Sequence, residues 1–516
     1  MRKIVAFTVI FACAAVSGWA QKEEAKSETL LRWHFAGAKA LSQNKELTTL
    51  EQVLRLPETT ALRQAGAKSF ATRFAARFNK EGATNANPQI VRQIQPLVAD
   101  LMEYENAFHL AARDGQDSDW SLAVKLDDAR SQLWSKNLAQ LAAASGMQGA
   151  KGDAKSWNAS KEKYRLSFAH EKDWTIIEGG FGAADASAAK QFRSSLGERR
   201  GKEVLSAEVN SPLLAKLWGA EKLLDAPKLT LRAEPRGSGL RSELLLDYPE
   251  DLGIKAEKWN VPTGLIHEPL IGFTAIQGVA KKLERIESFA SLGAQQTPNQ
   301  LFMWTHSSSP FHFWLAGEVK NPEQVVNNAA REFKDAKLPV GSIEKSTNRA
   351  VVYWEGPPVI KPFLSAASVP HSSFLLAGLF PATVPSTNPI PAELVDQLKK
   401  SNLIYYDWEI TGERLKRWVP VWQLYQMLAK SSVSVNTAPS FRWTGALEPL
   451  LGNTVTEATL ENSRQIKFIR QSQIGFSGLE LVLLAHWLDG DDLMKARNLQ
   501  LRQPQNTKKP PSLPAP

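Results

Sequence analysis

The chain has 516 residues, of which 43% are hydrophobic, and this length suits two domains that each bury a core without disulfides. Basic and acidic residues, 62 and 53 in number, are interspersed along the sequence, so the net charge of +9 favours solubility and contact with anionic envelope surfaces. The sequence contains no long basic run and no zinc-finger or RNA-binding motif, so we expect no nucleic-acid partner.

Residues 1–20 predict a secretory signal peptide. Arg2 and Lys3 form a basic start, residues 4–16 are apolar but too few to span a bilayer comfortably, and Gly-Trp-Ala at 18–20 is a small-residue cleavage pattern. Cleavage would remove Cys13, the single cysteine, and with it any thiolate ligand or cysteine nucleophile. We therefore expect an exported protein, periplasmic or extracellular. In the alternative interpretation, Cys13 carries a lipid and anchors the protein to the envelope.

Beyond the signal peptide, the predicted elements form two series in the same order. Each series contains a strand that leads into a helix, and then a strand that ends at a helix start. The helix start is Asp127-Asp128 in the first series and Asn321-Pro322 in the second. A hairpin, a helix, a strand with a following helix, and a closing hairpin complete each series. This repetition predicts an internal duplication.

The predicted fold class is therefore α+β, with two tandem related units. We expect the units at residues 21–250 and 265–490, joined by a linker at 251–264. Each unit should be a mixed or mainly antiparallel sheet with helices packed on one face. A helical segment near residues 58–112 is interpreted as an insertion in the first unit. The tail at 491–516 is Pro-rich and expected to be disordered from about residue 503.

The stretch Met303–Val319, MWTHSSSPFHFWLAGEV, raises the question of a catalytic or metal-binding loop. His306 and His312 flank three serines and a proline, which are also typical turn residues. A serine hydrolase needs a base and a group that orients it, and a zinc site needs a third ligand, which the sequence does not place nearby. We therefore interpret the stretch as a turn between two strands, with the His312 side chain pointing outward.

Two further groups of residues are candidates for ligand binding. Asp407 and Glu409 lie two apart on a predicted strand, so both side chains face one way. Paired carboxylates are typical of glycosidases, although there they usually come from different strands, and the alternative is a solvated strand face. Trp418, Trp422 and Tyr425 recur at helical spacing and form an aromatic stripe. Such a stripe either packs on its own sheet or contacts a membrane surface or a partner.

The sequence thus predicts an exported, non-enzymatic binding or scaffold protein of the cell envelope. Its expected partner is an envelope component, a polysaccharide or another exported protein, with peripheral membrane contact as a further option. The alternatives are a secreted hydrolase of glycosidic or ester bonds and an envelope-anchored lipoprotein with a structural role. No cofactor or metal is predicted. The candidate ligand-binding residues are His306, His312, Asp407, Glu409, Trp418, Trp422 and Tyr425.

Overall fold

A computed structural model describes residues 28–489 of the chain with several gaps. The gaps are residues 77–86, 114–116, 183–185, 198–200, 219, 221–223, 287–291, 307–311, 336–339, 342–350, 355–360, 371, 380–387, 418–419 and 421–437.

Nineteen described strands follow one another along the chain. They are β1 (Glu28–Phe35), β2 (Asn106–Arg113), β3 (Asp117–Lys125), β4 (Ser156–Lys161), β5 (Tyr164–Glu171), β6 (Trp174–Phe181), β7 (Leu205–Asn210), β8 (Lys228–Arg236), β9 (Gly239–Asp247), β10 (Leu270–Gln277), β11 (Gln300–His306), β12 (Phe313–Glu318), β13 (Val340–Gly341), β14 (Val351–Trp354), β15 (Phe363–Val369), β16 (Ser372–Gly378), β17 (Leu403–Ile410), β18 (Asn453–Asn462) and β19 (Gln465–Ser472).

The helices lie between these strands in the chain, except for the last one, which follows β19. They are α1 (Ala38–Leu41), α2 (Thr48–Arg55), α3 (Pro57–Ala76), α4 (Pro88–Glu103), α5 (Asp128–Ala144), α6 (Ala186–Ser195), α7 (Ser211–Trp218), α8 (Ala280–Leu283), α9 (Pro322–Asp335), α10 (Ala392–Gln397), α11 (Pro439–Leu447) and α12 (Gly478–Asp489). Residues 411–417 are also helical.

The predicted helix starts are confirmed where local chemistry fixes them. The Asp127 carboxylate accepts a hydrogen bond from Arg130 N at 2.8 Å and caps α5, as its position before an apolar run predicts. Pro322 is the first residue of α9. Proline lacks an N–H, and at this position an N–H would have no intrahelical acceptor, so no helical bond is lost.

The strands form one antiparallel sheet. Hydrogen bonding orders the strands of the N-terminal half as β4-β5-β6-β3-β2-β1-β7-β8-β9. β9 pairs with β19, and the C-terminal half continues as β19-β18-β17-β10-β11-β12-β16-β15-β14-β13. The chain is therefore a mixed α and β protein with an antiparallel sheet, as predicted.

Helices cover both faces of this sheet rather than the one face that was predicted. On the front face, Phe108, Leu122 and Ile177 share a core with Trp134 and Leu138 of α5. The neighbouring strand residues Ala107, Ala123 and Ile176 point to the back face and pack on Phe192 of α6. Because alternate strand residues are apolar on both sides here, the apolar side of α5 is buried against one face and that of α6 against the other.

Helices from distant parts of the chain meet near the middle of the molecule. Leu50 of α2 and Leu62 of α3 share one core with Trp443 of α11 and Leu481 of α12. Trp443 Nε1 also donates to Thr59 Oγ1 at 2.9 Å, which satisfies the buried indole. The two halves of the chain are thus joined by helix packing as well as by the sheet.

Two local predictions need correction. Residues 106–112, assigned to an inserted helical segment, form β2 instead, because paired strands on both sides bury alternate residues there. The sequence pattern also predicts that residues 349–356 and 372–380 form the hairpin of the second unit, with a Pro-rich insertion between them, and this is wrong. Its strands, β14 and β16, both pair with β15, which lies in the expected insertion. Among the described residues, no helix is long and apolar enough to cross a membrane.

Candidate functional site

A groove of about 530 Å³ lies on the back face of the N-terminal half of the sheet. Its floor is a row of directly paired residues, the polar row, which crosses four strands: His109 of β2, Arg32 of β1, Glu208 of β7 and Thr230 of β8. Because all four side chains come from one register row, they emerge on the same face within reach of one another.

Further polar groups line the walls of this back-face groove. Ser206 and Arg232 form the next paired row of the floor, and Glu203 stands beside them. Arg232 Nε lies 3.6 Å from Glu203 Oε1. On the other side, α6 contributes Ser194 and Ser195 together with Phe192, whose ring stacks on His109 at a centroid distance of 6.3 Å.

The main charges of the polar row form an exposed ion pair. Arg32 donates to Glu208 Oε1 at 2.5 Å, and the two side chains remain 59% and 38% exposed. Ion pairs as open as this contribute little to stability because water competes with them. His109 Nε2 and Thr29 Oγ1 share a hydrogen bond of 3.1 Å at the groove edge.

One paired row of the C-terminal half is apolar. Direct pairing places Trp304 of β11, Phe273 of β10, Trp408 of β17 and Val455 of β18 in one row, the apolar row. These residues belong to a core that also contains Trp259 and Ile266 of the segment before β10. One half of the sheet therefore carries a paired row of polar groups beside a groove, and the other carries a paired row of apolar groups packed into a core with the chain's own segment.

The predicted carboxylate pair lies on the front face, away from the groove. Asp407 accepts a hydrogen bond from Thr274 Oγ1 at 2.6 Å, and Glu409 accepts one from Gly478 N at 2.7 Å. Arg414 Nε lies 3.5 Å from Glu409 Oε2 without hydrogen-bond geometry, while its Nη1 donates to Thr305 Oγ1 at 2.7 Å.

Burial dominates the electrostatics of these carboxylates. Burial raises the pKa of Asp407, and the hydrogen bond from Thr274 opposes that rise. Burial also raises the pKa of Glu409, which the hydrogen bond from Gly478 N opposes. Neither carboxylate faces the other across an open cleft, because each is engaged by its own neighbours. This arrangement is that of a structural network rather than of a glycosidase pair.

The structure brings three histidines together at the start of the β11–β12 hairpin. His306 N donates to His312 O at 3.2 Å, and both rings lie against Trp314, at 4.6 and 5.6 Å. His267, which the sequence could not place, is close enough to lower the pKa of His306 together with His312. His312 is half-buried rather than pointing outward as predicted.

This histidine cluster lacks the other parts of a hydrolytic site among the described residues. His306 packs on Trp314 on the back face of the sheet. The adjacent residue, Thr305, contacts Arg414 on the front face. The histidines and the carboxylates Asp407 and Glu409 therefore point to opposite faces of the sheet. Within the described part of the chain, no group of three or more His, Cys, Asp or Glu residues is arranged to hold a metal ion.

Trp418, Trp422 and Tyr425 lie outside the described residues. The groove residues, by contrast, are described but were not predicted. Their signal in the sequence is a polar residue at alternate positions of neighbouring strands, such as Arg32, Ser206 and Glu208. That signal emerges only after the pairing register is known. Taken alone, each strand has the alternation of any strand with one face in solvent.

No family model, curated protein or solved structure matches this chain.

Proposed function

We propose that the protein is an exported, non-enzymatic binding protein whose ligand occupies the back-face groove. The observation that carries the proposal is the polar row, four paired side chains that line a cavity on a sheet face and leave their charges exposed. A volume of about 530 Å³ lies in the range of ligand sites, and polar groups that converge on one concavity provide orientation and specificity.

The binding proposal includes an origin by internal duplication, with units at residues 21–250 and 265–490 and a linker at 251–264. Support comes from the strand orders on the two sides of the β9–β19 pair, which match when β1–β9 are aligned with β10–β12 and β14–β19. The pair Glu243–Ile469 lies at the same place in each closing hairpin, four residues beyond Gly239 and Gln465. An approximate two-fold axis through this pair relates the two orders.

Export is the second part of the proposal. It is supported by the basic start, apolar stretch and small-residue cleavage pattern of residues 1–20. Intact mass spectrometry of the protein recovered from the producing cells tests this directly. A mass that corresponds to a chain beginning after residue 20 supports export with cleavage. A mass that includes a lipid on Cys13 supports the anchored alternative, and an uncleaved chain in the cytoplasm overturns both.

A thermal-shift screen tests the groove. We would use three probes: cell-wall oligosaccharides, a pool of random dodecapeptides, and vesicles of phosphatidylglycerol. The test variant Ser206→Tyr fills the floor with the residue that stands in the matching row of the other half, Tyr406. The control Ser156→Tyr adds the same ring to an exposed position of β4.

Binding to the groove has a defined signature in this screen. A ligand present at 100 times its dissociation constant adds about 2.7 kcal/mol to the free energy of unfolding. We expect one probe to raise the melting temperature of the wild type and of Ser156→Tyr but not that of Ser206→Tyr. If no probe stabilises the wild type, or if Ser206→Tyr responds equally, the groove is not the binding site.

A further inference from the structure

The C-terminal half holds an extended segment of its own chain against its back face. Gln277 Oε1 accepts a hydrogen bond from Glu257 N at 2.9 Å. Gln300 makes two such bonds, one from Asn260 N to its Oε1 and one from its Nε2 to Lys258 O, both at 2.9 Å. Side chains that rise from β10 and β11 therefore bind the main chain of a passing polypeptide segment.

The same segment is anchored by its apolar side chains. Trp259 and Ile266 are buried in the core that contains the apolar row, and Trp259 meets the ring of Phe302 edge-on at 5.9 Å. Main-chain hydrogen bonds with side-chain anchors are the usual means by which a protein surface recognises an extended peptide. In this half, the occupant is supplied by the chain itself.

We propose that the back-face groove of the N-terminal half binds an extended segment of a partner polypeptide that carries charged side chains of both signs. The inference rests on the proposed function. It follows from the match between the polar row and the apolar row, which occupy the same strand positions. The apolar row shares a core with Trp259 and Ile266 of the chain's own segment, and the polar row lines an open groove.

The charges of the groove define the chemistry of this segment. Arg32 and Glu208 stand side by side on the floor, with a second pair, Arg232 and Glu203, beside them. Because the Arg32–Glu208 pair is exposed and contributes little to stability, each partner can exchange it for a ligand charge at little cost. An acidic ligand side chain fits Arg32 or Arg232, and a basic one fits Glu203 or Glu208.

The size of the floor agrees with a short stretch of extended chain. The polar row crosses four strands, β2, β1, β7 and β8, which places its ends about 14 Å apart at the usual strand spacing. An extended chain that advances roughly 3.3 Å per residue covers this distance with four to five residues.

Phage display of random dodecapeptides tests the inference. The library is selected on the full-length protein after counter-selection on Ser206→Tyr, and the enriched peptides are synthesised and titrated by fluorescence anisotropy. We expect peptides with both acidic and basic residues, whose affinity falls as salt is added. Ser206→Tyr should weaken binding by at least about tenfold, while Ser156→Tyr should leave it unchanged.

A charge exchange provides a test that does not depend on filling the groove. Arg32→Glu combined with Glu208→Arg keeps the internal ion pair but reverses the order of charges on the floor. Peptides selected on the wild type should lose at least about tenfold in affinity, and peptides with acidic and basic residues exchanged should regain it. Equal binding of both peptide sets to both proteins would overturn the inference.

The outcomes separate this inference from the proposed function. If an oligosaccharide or a lipid vesicle binds the groove and no peptide is enriched, the ligand class is wrong but the groove remains a binding site. If no probe of any class binds in a way that depends on Ser206, the inference and the proposed function are both overturned.

Discussion

At the residue scale, one buried carboxylate joins three elements. Glu409 of β17 accepts from Gly478 N at the start of α12 and lies 3.5 Å from Arg414, which itself bonds to Thr305 of β11. A buried ion pair contributes little net stability, but the loss of one partner leaves the other charge uncompensated. Glu409 is 4% exposed, so water cannot replace its contacts.

The first prediction concerns Glu409. Glu409→Ala should lower the free energy of unfolding by about 3–5 kcal/mol, because it leaves Arg414 without its carboxylate and Gly478 N–H without an acceptor. Glu409→Gln keeps an acceptor for Gly478 and should have a smaller effect. Urea unfolding measures both, and equal losses in the two variants would show that the hydrogen bond to Gly478 has no role.

The second prediction concerns His306, which is 3% exposed and has no hydrogen-bond partner for either ring nitrogen in the described residues. Burial, with help from His312 and His267, lowers its pKa from 6.5 to about 4. Between these values the unfolded chain binds more protons than the folded protein. The free energy of unfolding should therefore fall as the pH is lowered from above 6.5 towards 4, by on the order of 3 kcal/mol.

Urea unfolding across this pH range checks the effect. His306→Gln removes the titrating group and should flatten the pH dependence, whatever it does to stability at neutral pH. His486 of α12 is the matched control, since burial also lowers its pKa to about 4. His486→Gln should remove a separate part of the slope. An unchanged slope in His306→Gln would contradict the prediction.

At the element scale, α12 begins with a reciprocal set of bonds. Glu480 Oε2 accepts from Ser477 N at 2.9 Å, and Ser477 Oγ accepts from Glu480 N at 3.4 Å, which is a capping box. Arg470 of β19 binds both oxygens of Glu480 and ties the helix start to the sheet. Arg470, Ser477 and Glu480, which are close in sequence, therefore stabilise the first turn of the helix.

The third prediction is that Ser477→Ala lowers the free energy of unfolding by about 1 kcal/mol, since it removes the side chain that caps the helix. Ser477→Thr keeps a hydroxyl acceptor and should lose less. Chemical denaturation of the two variants and the wild type gives the comparison. If Ser477→Ala matches the wild type, the bonds from Glu480 alone hold the helix start.

Local chemistry explains which elements could be predicted from the sequence. Asp127 marks a helix start through its bond to Arg130 N, and Pro322 marks one through its fixed φ and missing N–H, so their elements are confirmed. β2 was mistaken for a helix because its alanine-rich run, NAFHLAAR, suits either structure, and only the strands beside it decide. The back-face groove depends entirely on register, which no single segment encodes.

At the scale of the whole molecule, a continuous sheet connects the two halves. A row of paired residues runs from Phe108 of β2 to Tyr405 of β17 and crosses the β9–β19 pair at Leu244 and Phe468. Over the same region, α3 packs with α11 and α12. Separation of the halves would expose two strand edges and a helical core, which is unfavourable for both.

The fourth prediction follows from this continuity: the protein should unfold in a single cooperative transition, with equal calorimetric and van't Hoff enthalpies. Phe468→Pro should break that cooperativity. The bond from Tyr248 N to Arg464 O shows that every second residue from 464 onward along β19 is hydrogen-bonded to β9, so proline at 468 removes a ladder hydrogen bond opposite Leu244 that the sheet cannot replace. Scanning calorimetry of this variant should show two transitions or a broadened one, whereas Phe468→Leu should keep one. Two transitions in the wild type would mean that the halves fold independently despite the shared sheet.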